Sequence, residues 1–216
     1  MRKIITTLFI IAGFYSASNA QITKANAFVF GANIGLNEGY VQESNSLLKS
    51  GSVGGFNLGV SGEYYFSDRW SFKAKLNYDQ KGWADGYIIV NSGPSGQGSS
   101  EIDNINFKLN YLTVPLMANW HFGHTRNWYL HFGPYLGFLM SASDNNGDGD
   151  IKPLFNSTDV GFDLGIGVKF PVADRVKLFI EADGQSGFTN IFKDGGGSTV
   201  QAQRSSLNFG VTFDMN

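Results

Sequence analysis

Residues 70–79 read Trp-Ser-Phe-Lys-Ala-Lys-Leu-Asn-Tyr-Asp, so apolar and polar side chains alternate at every position. Successive residues of a β-strand point to opposite faces of the sheet. The stretch therefore predicts a strand with one apolar face, from Trp70 to Tyr78, and one largely charged face, from Ser71 to Asp79. Similar alternating runs recur along the chain, and the connections between them are by turns short and long.

The number of strands and the alternation of short and long connections predict the fold. We count about eight strands, with three short turns at 67–69, 123–127 and 171–174 and four longer polar connections. An even number of antiparallel strands joined in this way is typical of outer-membrane barrels. Open sheet edges would leave backbone groups unpaired in hydrocarbon, so the strands must close on themselves. We therefore predict an all-β fold, an eight-stranded antiparallel transmembrane up-and-down β-barrel.

The alternation also suggests where strands end. The first strand is expected at 27–36, followed by a polar loop at 37–52. The third strand is expected to end near Gly82, before a long loop that contains the Gly/Ser-rich run 91–100. The last strand is expected to begin at Leu207, after a loop with three glycines at 195–197.

The N-terminus indicates export. Arg2 and Lys3 precede a short apolar run at 4–15, and small residues follow at 18–20. This is the pattern of a secretory signal peptide, so we predict a signal peptide at 1–20 and one barrel domain at 21–216. The alternative is an uncleaved anchor, although the apolar run is too short to span a bilayer comfortably.

Composition narrows the function classes. The formal charge of −2 becomes about −4 once Arg2 and Lys3 are removed, which provides no basic surface for nucleic acid. The chain has no cysteine, which excludes disulfides and thiolate chemistry. Aromatic residues make up 15% of the chain and it has 28 glycines, a composition typical of β-barrels.

The two strand faces predict which side meets lipid. The apolar faces carry essentially no charge, and close to the short turns they become aromatic, as an interfacial girdle would. The opposite faces carry five basic and five acidic residues, namely Glu63, Lys73, Lys75, Asp79, Lys81, Asp163, Lys169, Lys177, Glu181 and Asp183. An eight-stranded barrel is just wide enough to be filled by its side chains, and buried charges need partners. We predict that these ten residues form an interior ion-pair network; the alternative is an ion-conducting pore.

Two irregularities stand out in the strand pattern. Pro115 and Pro134 fall within strands, where each removes a backbone donor, so we expect a β-bulge near one of them. The apolar positions also change phase between Leu109 and Leu112, which indicates either a bulge or the place where the strand leaves the membrane.

Candidate sites for chemistry are weak. His121, His124 and His131 cluster around one short turn, where packed or solvated side chains are favoured over a metal site. Asp144, Asn146, Asp148 and Asp150 match the first half of a calcium loop, with Gly149 between the last two for the sharp turn. Phe155 stands where that loop needs its bidentate Glu, so a solvated acidic loop is favoured over calcium. No nucleophile–base pair is visible, and we expect neither a cofactor nor enzyme activity.

Several short motifs carry a resemblance to a known family. They are Gly31-Ala-Asn-Ile-Gly35, Tyr78-Asp-Gln-Lys-Gly82, Asn110-Tyr-Leu-Thr-Val-Pro115, Gly133-Pro-Tyr-Leu-Gly137, Asp159-Val-Gly-Phe-Asp163, Gly187-Phe-Thr-Asn-Ile191 and Asn208-Phe-Gly-Val-Thr-Phe213. Together, over nearly the whole mature chain, they resemble the PorT-like outer-membrane β-barrel family of Bacteroidetes. The resemblance implies an eight-stranded barrel in the outer membrane, and the family's namesake takes part in type IX secretion.

The expected function is that of a structural or interaction protein. We expect a non-enzymatic outer-membrane barrel with a filled lumen, external loops and both termini in the periplasm. Its expected partners are outer-membrane lipid, the barrel assembly machinery during insertion and, if the resemblance extends to function, subunits of the secretion system; nucleic acid is not among them. A type IX secretion component and a narrow channel are the alternatives, and an enzyme at the rim is a more distant one.

Overall fold

The computed structural model describes residues 25–43, 51–91, 99–145, 151–193 and 199–215, with backbone only at 43, 85–91 and 99–104. Eight strands run through them: β1 Phe28–Glu43, β2 Val53–Tyr65, β3 Trp70–Asn91, β4 Ser99–Phe122, β5 Trp128–Asp144, β6 Thr158–Ala173, β7 Val176–Gly187 and β8 Val200–Asp214. A 3-10 turn, Lys152–Leu154, lies between β5 and β6. No helix in the described part of the chain is long and apolar enough to cross a membrane.

The strands form a closed barrel in sequence order. Each pairs antiparallel with the next, and β1 pairs with β8 from Val29↔Asp214 to Glu43↔Val200. The predicted eight-stranded antiparallel barrel is therefore confirmed. The short turns at 66–69, 123–127 and 174–175 lie at one end, which we call the turn end, and the longer connections lie at the opposite, loop end.

Several strands are longer at the loop end than the alternation suggested. The first strand continues to Glu43 rather than 36, the third to Asn91 rather than Gly82, and the last begins at Val200 rather than Leu207. Residues 37–43 of the first predicted loop, and residues 83–91 and 99 onward of the second, are therefore strand, whereas 44–50 and 92–98 lie outside the described residues. In these extensions the polarity difference between the two faces is weak, as at 200–206, or reversed, as at Phe107 and Lys108, so the alternation seen in the rest of each strand does not continue.

Outward-facing side chains form an apolar band around the barrel. On β5 the band extends from Trp128 to Phe138. At about 3.3 Å per residue and a tilt of about 40°, this spans about 25 Å, the height of the apolar belt of outer-membrane barrels. Aromatic rings mark its turn end, where the centroids of Trp70 and Trp120 lie 6.4 Å apart.

The predicted bulge exists but not at a proline. Pairing of β4 with β5 shifts by one residue between Asn110 and Tyr111, and the extra residue is Met140 of β5. Register is unchanged past Pro115 and Pro134, so the expectation of a bulge at either proline was wrong. Beside each proline, the pairing of β4 with a neighbouring strand is instead interrupted for two residues. The strand therefore does not need the backbone donor that proline lacks.

The interior changes in chemistry towards the loop end. On β4 the odd-numbered residues face inward from Ile105 to His121 without interruption. Leu109 therefore points into the lumen and Leu112 towards lipid, and the phase change in the sequence marks the exit of β4 from the membrane. Beyond that level the polarity of the two faces is exchanged, with Phe107 inside and Lys108 exposed outside.

Candidate functional site

All ten residues of the predicted interior set are buried in the lumen. None is more than 7% exposed. The structure brings most of them together around three acidic side chains, at successive levels of the barrel. Lys177 lies apart from this group and pairs with Asp214 at 3.0 Å, at the turn end.

Glu181 of β7 is the centre of the middle level. Lys73 Nζ lies 3.2 Å from its Oε2, Lys75 pairs with its Oε1, and the Tyr129 hydroxyl donates a hydrogen bond of 2.8 Å. Both lysines come from β3, on the far side of the lumen. The contacts therefore tie opposite walls of the barrel together.

Glu63 of β2 organises the level nearest the turn end. Lys169 lies 2.8 Å from its Oε2, and Asn119 donates to Oε1 at 3.0 Å. His121 Nε2 is 2.9 Å from the same oxygen, which also accepts the hydroxyl proton of Ser71.

Ser71, His121 and Glu63 are the types of residue found in a catalytic triad, but their arrangement is different. Ser71 Oγ and Glu63 Oε1 both face Nε2 of His121, at 3.1 and 2.9 Å. In a catalytic relay the acid instead contacts Nδ1 and leaves Nε2 to the nucleophile. All three side chains are at most 2% exposed, so the group is a packed polar cluster.

Arg204 of β8 joins the acids towards the loop end. Its guanidinium lies 2.8 Å from Asp183 and 3.4 Å from Asp79. Ser206 and Asn208 also donate to Asp183, at 2.8 and 2.7 Å. Arg204 is absent from the predicted set because the last strand was expected to begin after it. Its position two and four residues before Ser206 and Asn208 places it on the same face and could have revealed it.

Asp159 is the second residue that the sequence did not assign. Lys81 lies 2.8 Å from its Oδ2, and the Tyr135 hydroxyl donates to the same oxygen at 2.9 Å. Lys81 Nζ also lies 4.3 Å from the Tyr135 ring centroid, within cation–π range. Asp159 shares a face with Asp163 four residues later, which was the available signal.

Glycines of β6 make room for large residues of β5. Tyr129 is paired with Gly167, His131 with Gly165, and Tyr135 with Gly161. A Cβ atom added at any of these glycines would overlap the facing ring. The rings thus occupy lumen space that side chains on β6 would otherwise fill.

An apolar cluster, which we call the cap, packs across the lumen at the loop end. Trp83 stacks on Phe107 with centroids 4.5 Å apart, and Phe155 lies 5.1 Å from Phe192. Trp83 and Phe155 are 6.0 Å apart, which joins the two pairs. The other buried members are Ile105, Leu109, Tyr111, Leu139, Ala142, Ile191 and Ala202. The sequence did not predict this cap, because its members lie beyond the predicted strand ends, some on strand extensions, such as Trp83 and Phe107, and others in the connections, such as Phe155 and Ile191.

The remaining candidate sites have different outcomes. His121 and His131 are buried in the lumen and His124 is exposed in its turn, so the three do not converge. Of the calcium candidates, Asn146, Asp148 and Asp150 lie outside the described residues, as does the signal peptide 1–20. Asp144 is half-buried at the end of β5. Calcium binding and the signal peptide remain predictions.

Comparison with known proteins gives one family and several similar folds. The family described as "Outer membrane protein beta-barrel domain" matches residues 19–193. Neisserial surface protein A is 18% identical, with a TM-score of 0.50 over 85% of this chain and 96% of that one. No curated protein matches the chain.

Two further solved barrels are similar at lower scores. Ail, the attachment invasion locus protein of Yersinia pestis, is 14% identical, with a TM-score of 0.43 over 88% of this chain and 100% of that one. OprG of Pseudomonas aeruginosa is 12% identical, with a TM-score of 0.46 over 89% and 97%. Identities this low concern the fold alone.

Proposed function

The chain belongs to the outer membrane protein β-barrel domain family, and on that premise we propose that it is a non-enzymatic structural and interaction protein of the outer membrane. It contacts lipid through its apolar band and other proteins through its loop end. The observation that carries the proposal is a two-stranded ribbon at the loop end. It consists of the parts of β3 and β4 that pair with each other beyond the points where β2 and β5 stop pairing with them.

The ribbon is formed by backbone pairing from Gly86↔Ile105 to Asn91↔Ser99. The pairing of β3 with β2 ends at Asn57↔Asp79, and only one isolated bridge, Gly51↔Ala84, lies beyond it. The pairing of β4 with β5 ends at Phe107↔Asp144. Among the described residues, no other strand pairs with the outer edges of the ribbon beyond these points. Free strand edges present unpaired N–H and C=O groups that an extended peptide can bind.

The sequence of the ribbon favours one kind of partner. The β3 arm contains Tyr-Ile-Ile-Val at 87–90, an uncharged run of high β-propensity, whereas the β4 arm carries Glu101 and Asp103. We therefore expect an extended segment of a partner protein to add as a strand along the β3 edge. The acidic β4 arm would repel a like-charged strand at the other edge.

A photo-crosslinking amino acid at position 89 tests this proposal. In intact cells we expect one adduct of defined mass from position 89 and none from position 108, which is exposed on the same pair of strands below the ribbon. N–H groups of neighbouring strand residues point to opposite edges, so one of Val90→Pro and Asn91→Pro, made separately, removes a donor from the outer edge and should abolish the adduct. Absence of an adduct, or one that survives both prolines, would contradict strand addition.

We place the loop end outside the cell and both termini in the periplasm. Bacterial barrels have short periplasmic turns and longer external loops, and here the short turns share an end with residues 25 and 215. The ribbon and the cap then face the exterior. Barrel assembly machinery is the expected partner during insertion.

A narrow channel is the weaker alternative. The paired charges and the cap both support a lumen without a continuous water path. In planar bilayers we expect no steady single-channel conductance from the purified barrel, with a wide porin in the same bilayer as the positive control. Steady unitary currents would favour the channel.

Membership of a type IX secretion system rests on the PorT-like motifs alone. Six of these seven motifs lie in strands, where they serve the fold as readily as a partner, and the seventh, 187–191, begins at the end of β7 and continues past it. Copurification of secretion subunits with the intact barrel from native membranes would favour that role over a free-standing barrel.

A further inference from the structure

His131 of β5 has a carboxylate on each side. Its Nε2 lies 3.2 Å from Asp163 Oδ1 and its Nδ1 lies 3.3 Å from Glu181 Oε2. The side chain is 0% exposed, and neither contact has the geometry of a regular hydrogen bond. A neutral imidazole has one N–H and one lone pair. In either tautomer, that lone pair would therefore face a carboxylate oxygen without water to screen it.

The charges of the lumen are also unequal if His131 is neutral. Apart from the Lys177–Asp214 pair, the buried bases among the described residues are Lys73, Lys75, Lys81, Lys169 and Arg204. The buried acids counted in the same way are Glu63, Asp79, Asp159, Asp163, Glu181 and Asp183. Five positive charges thus face six negative ones, and an uncompensated buried charge is strongly unfavourable.

A metal ion is the other way to supply positive charge here. His131, Asp163 and Asp183 offer ligand atoms within 4.8 Å of one another. However, Arg204 already lies 2.8 Å from Asp183 and Lys75 lies 3.8 Å from it. A divalent ion would add two charges where one is missing, next to two existing cations. One proton restores neutrality.

We propose that His131 is a buried proton-binding site, an imidazolium that bridges Asp163 of β6 and Glu181 of β7 and neutralises the lumen. The other charged or titratable groups around it are Lys73 and Lys75 of β3, Tyr129 of β5, Asp183 of β7 and Arg204 of β8. The bridge links three consecutive strands at the level of the central network.

The other two histidines are internal references. His121 has a carboxylate at Nε2 only, so one proton satisfies it, and no acid among the described residues lies within ion-pair distance of its Nδ1. His124 is exposed in the turn after β4. The same protein therefore contains a bridged, a singly paired and a solvated imidazole.

Nitrogen-15 NMR of histidine-labelled barrel in lipid nanodiscs tests the assignment directly. At about pH 7.5 we expect both ring nitrogens of His131 to give N–H signals, which a neutral imidazole with its single N–H cannot do. His124→Gln assigns the solvated residue, and contact with Tyr65, whose ring lies 4.8 Å from that of His121, assigns the second. A single N–H signal for His131 would overturn the proposal and place the proton on a carboxyl group.

Two further measurements, of metal content and of pH-dependent stability, complement the spectrum. Elemental analysis should find no stoichiometric metal, and neither Zn²⁺ nor Mn²⁺ should shift the His131 signals; a bound ion would replace the proton and refute the proposal. As the pH is raised from about 6 to about 9, the urea concentration at the unfolding midpoint should decrease more for the wild type than for His131→Gln. The reason is that the folded wild type keeps a proton on His131 that the unfolded chain releases. Parallel pH profiles of the two proteins would contradict a bound proton. If His131→Gln does not fold, the spectrum of the wild type still decides.

Discussion

Glu181→Gln is expected to lower the free energy of unfolding by roughly 3–5 kcal/mol, the cost of leaving buried charges without their partner. The substituted amide keeps the shape of the side chain and can still accept from Tyr129. Lys73 and Lys75, with side chains 3% and 2% exposed, lose the negative charge that compensates their burial. Urea unfolding in liposomes, followed by tryptophan fluorescence, measures the loss.

The matched control is an ion pair on the surface. Arg126 and Asp68 are also close, at 3.0 Å, but their side chains are 23% and 60% exposed. Asp68→Asn should therefore change stability by less than about 1 kcal/mol. If both substitutions had equally small effects, water would have to reach the central network, and the filled lumen would be incorrect.

Ile166→Arg should destabilise the barrel by about 2–4 kcal/mol, because it places a charge near the middle of the apolar band. Ile166 faces outward on β6 and is paired with Leu130 and Ala182, which also face outward. Unfolding in liposomes of the same lipid composition measures the change.

Depth along one strand provides the control for this prediction. Thr158 begins β6 and is exposed on the same side of the strand, at the edge of the band towards the loop end. Thr158→Arg should cost no more than about 1 kcal/mol, since the penalty falls towards the interface. Equal losses at the two positions would be inconsistent with the membrane placement argued from the band.

The parts of the barrel that cross the band could be predicted from sequence because the two strand faces differ there in polarity. Ten of the buried charged positions were found in this way, from Glu63 to Asp183. Arg204 and Asp159 were missed because they belong to strand ends near the loop end, where the outward face is polar as well. The cap was missed for the related reason that Trp83 and Phe107 lie beyond the level at which the apolar face exchanges sides.

The sequence by itself determined which residues face lipid and which face the lumen, because alternation is a local property of a strand with a period of two. Only the tertiary structure decided which charges meet. Glu181 contacts Lys73 and Lys75, which precede it by 108 and 106 residues and lie across the lumen. That meeting depends on the register of every intervening strand pair and on closure between β1 and β8. A local pattern shows that a charge faces the lumen. Its partner depends on where barrel closure places each strand along the barrel axis and around its circumference.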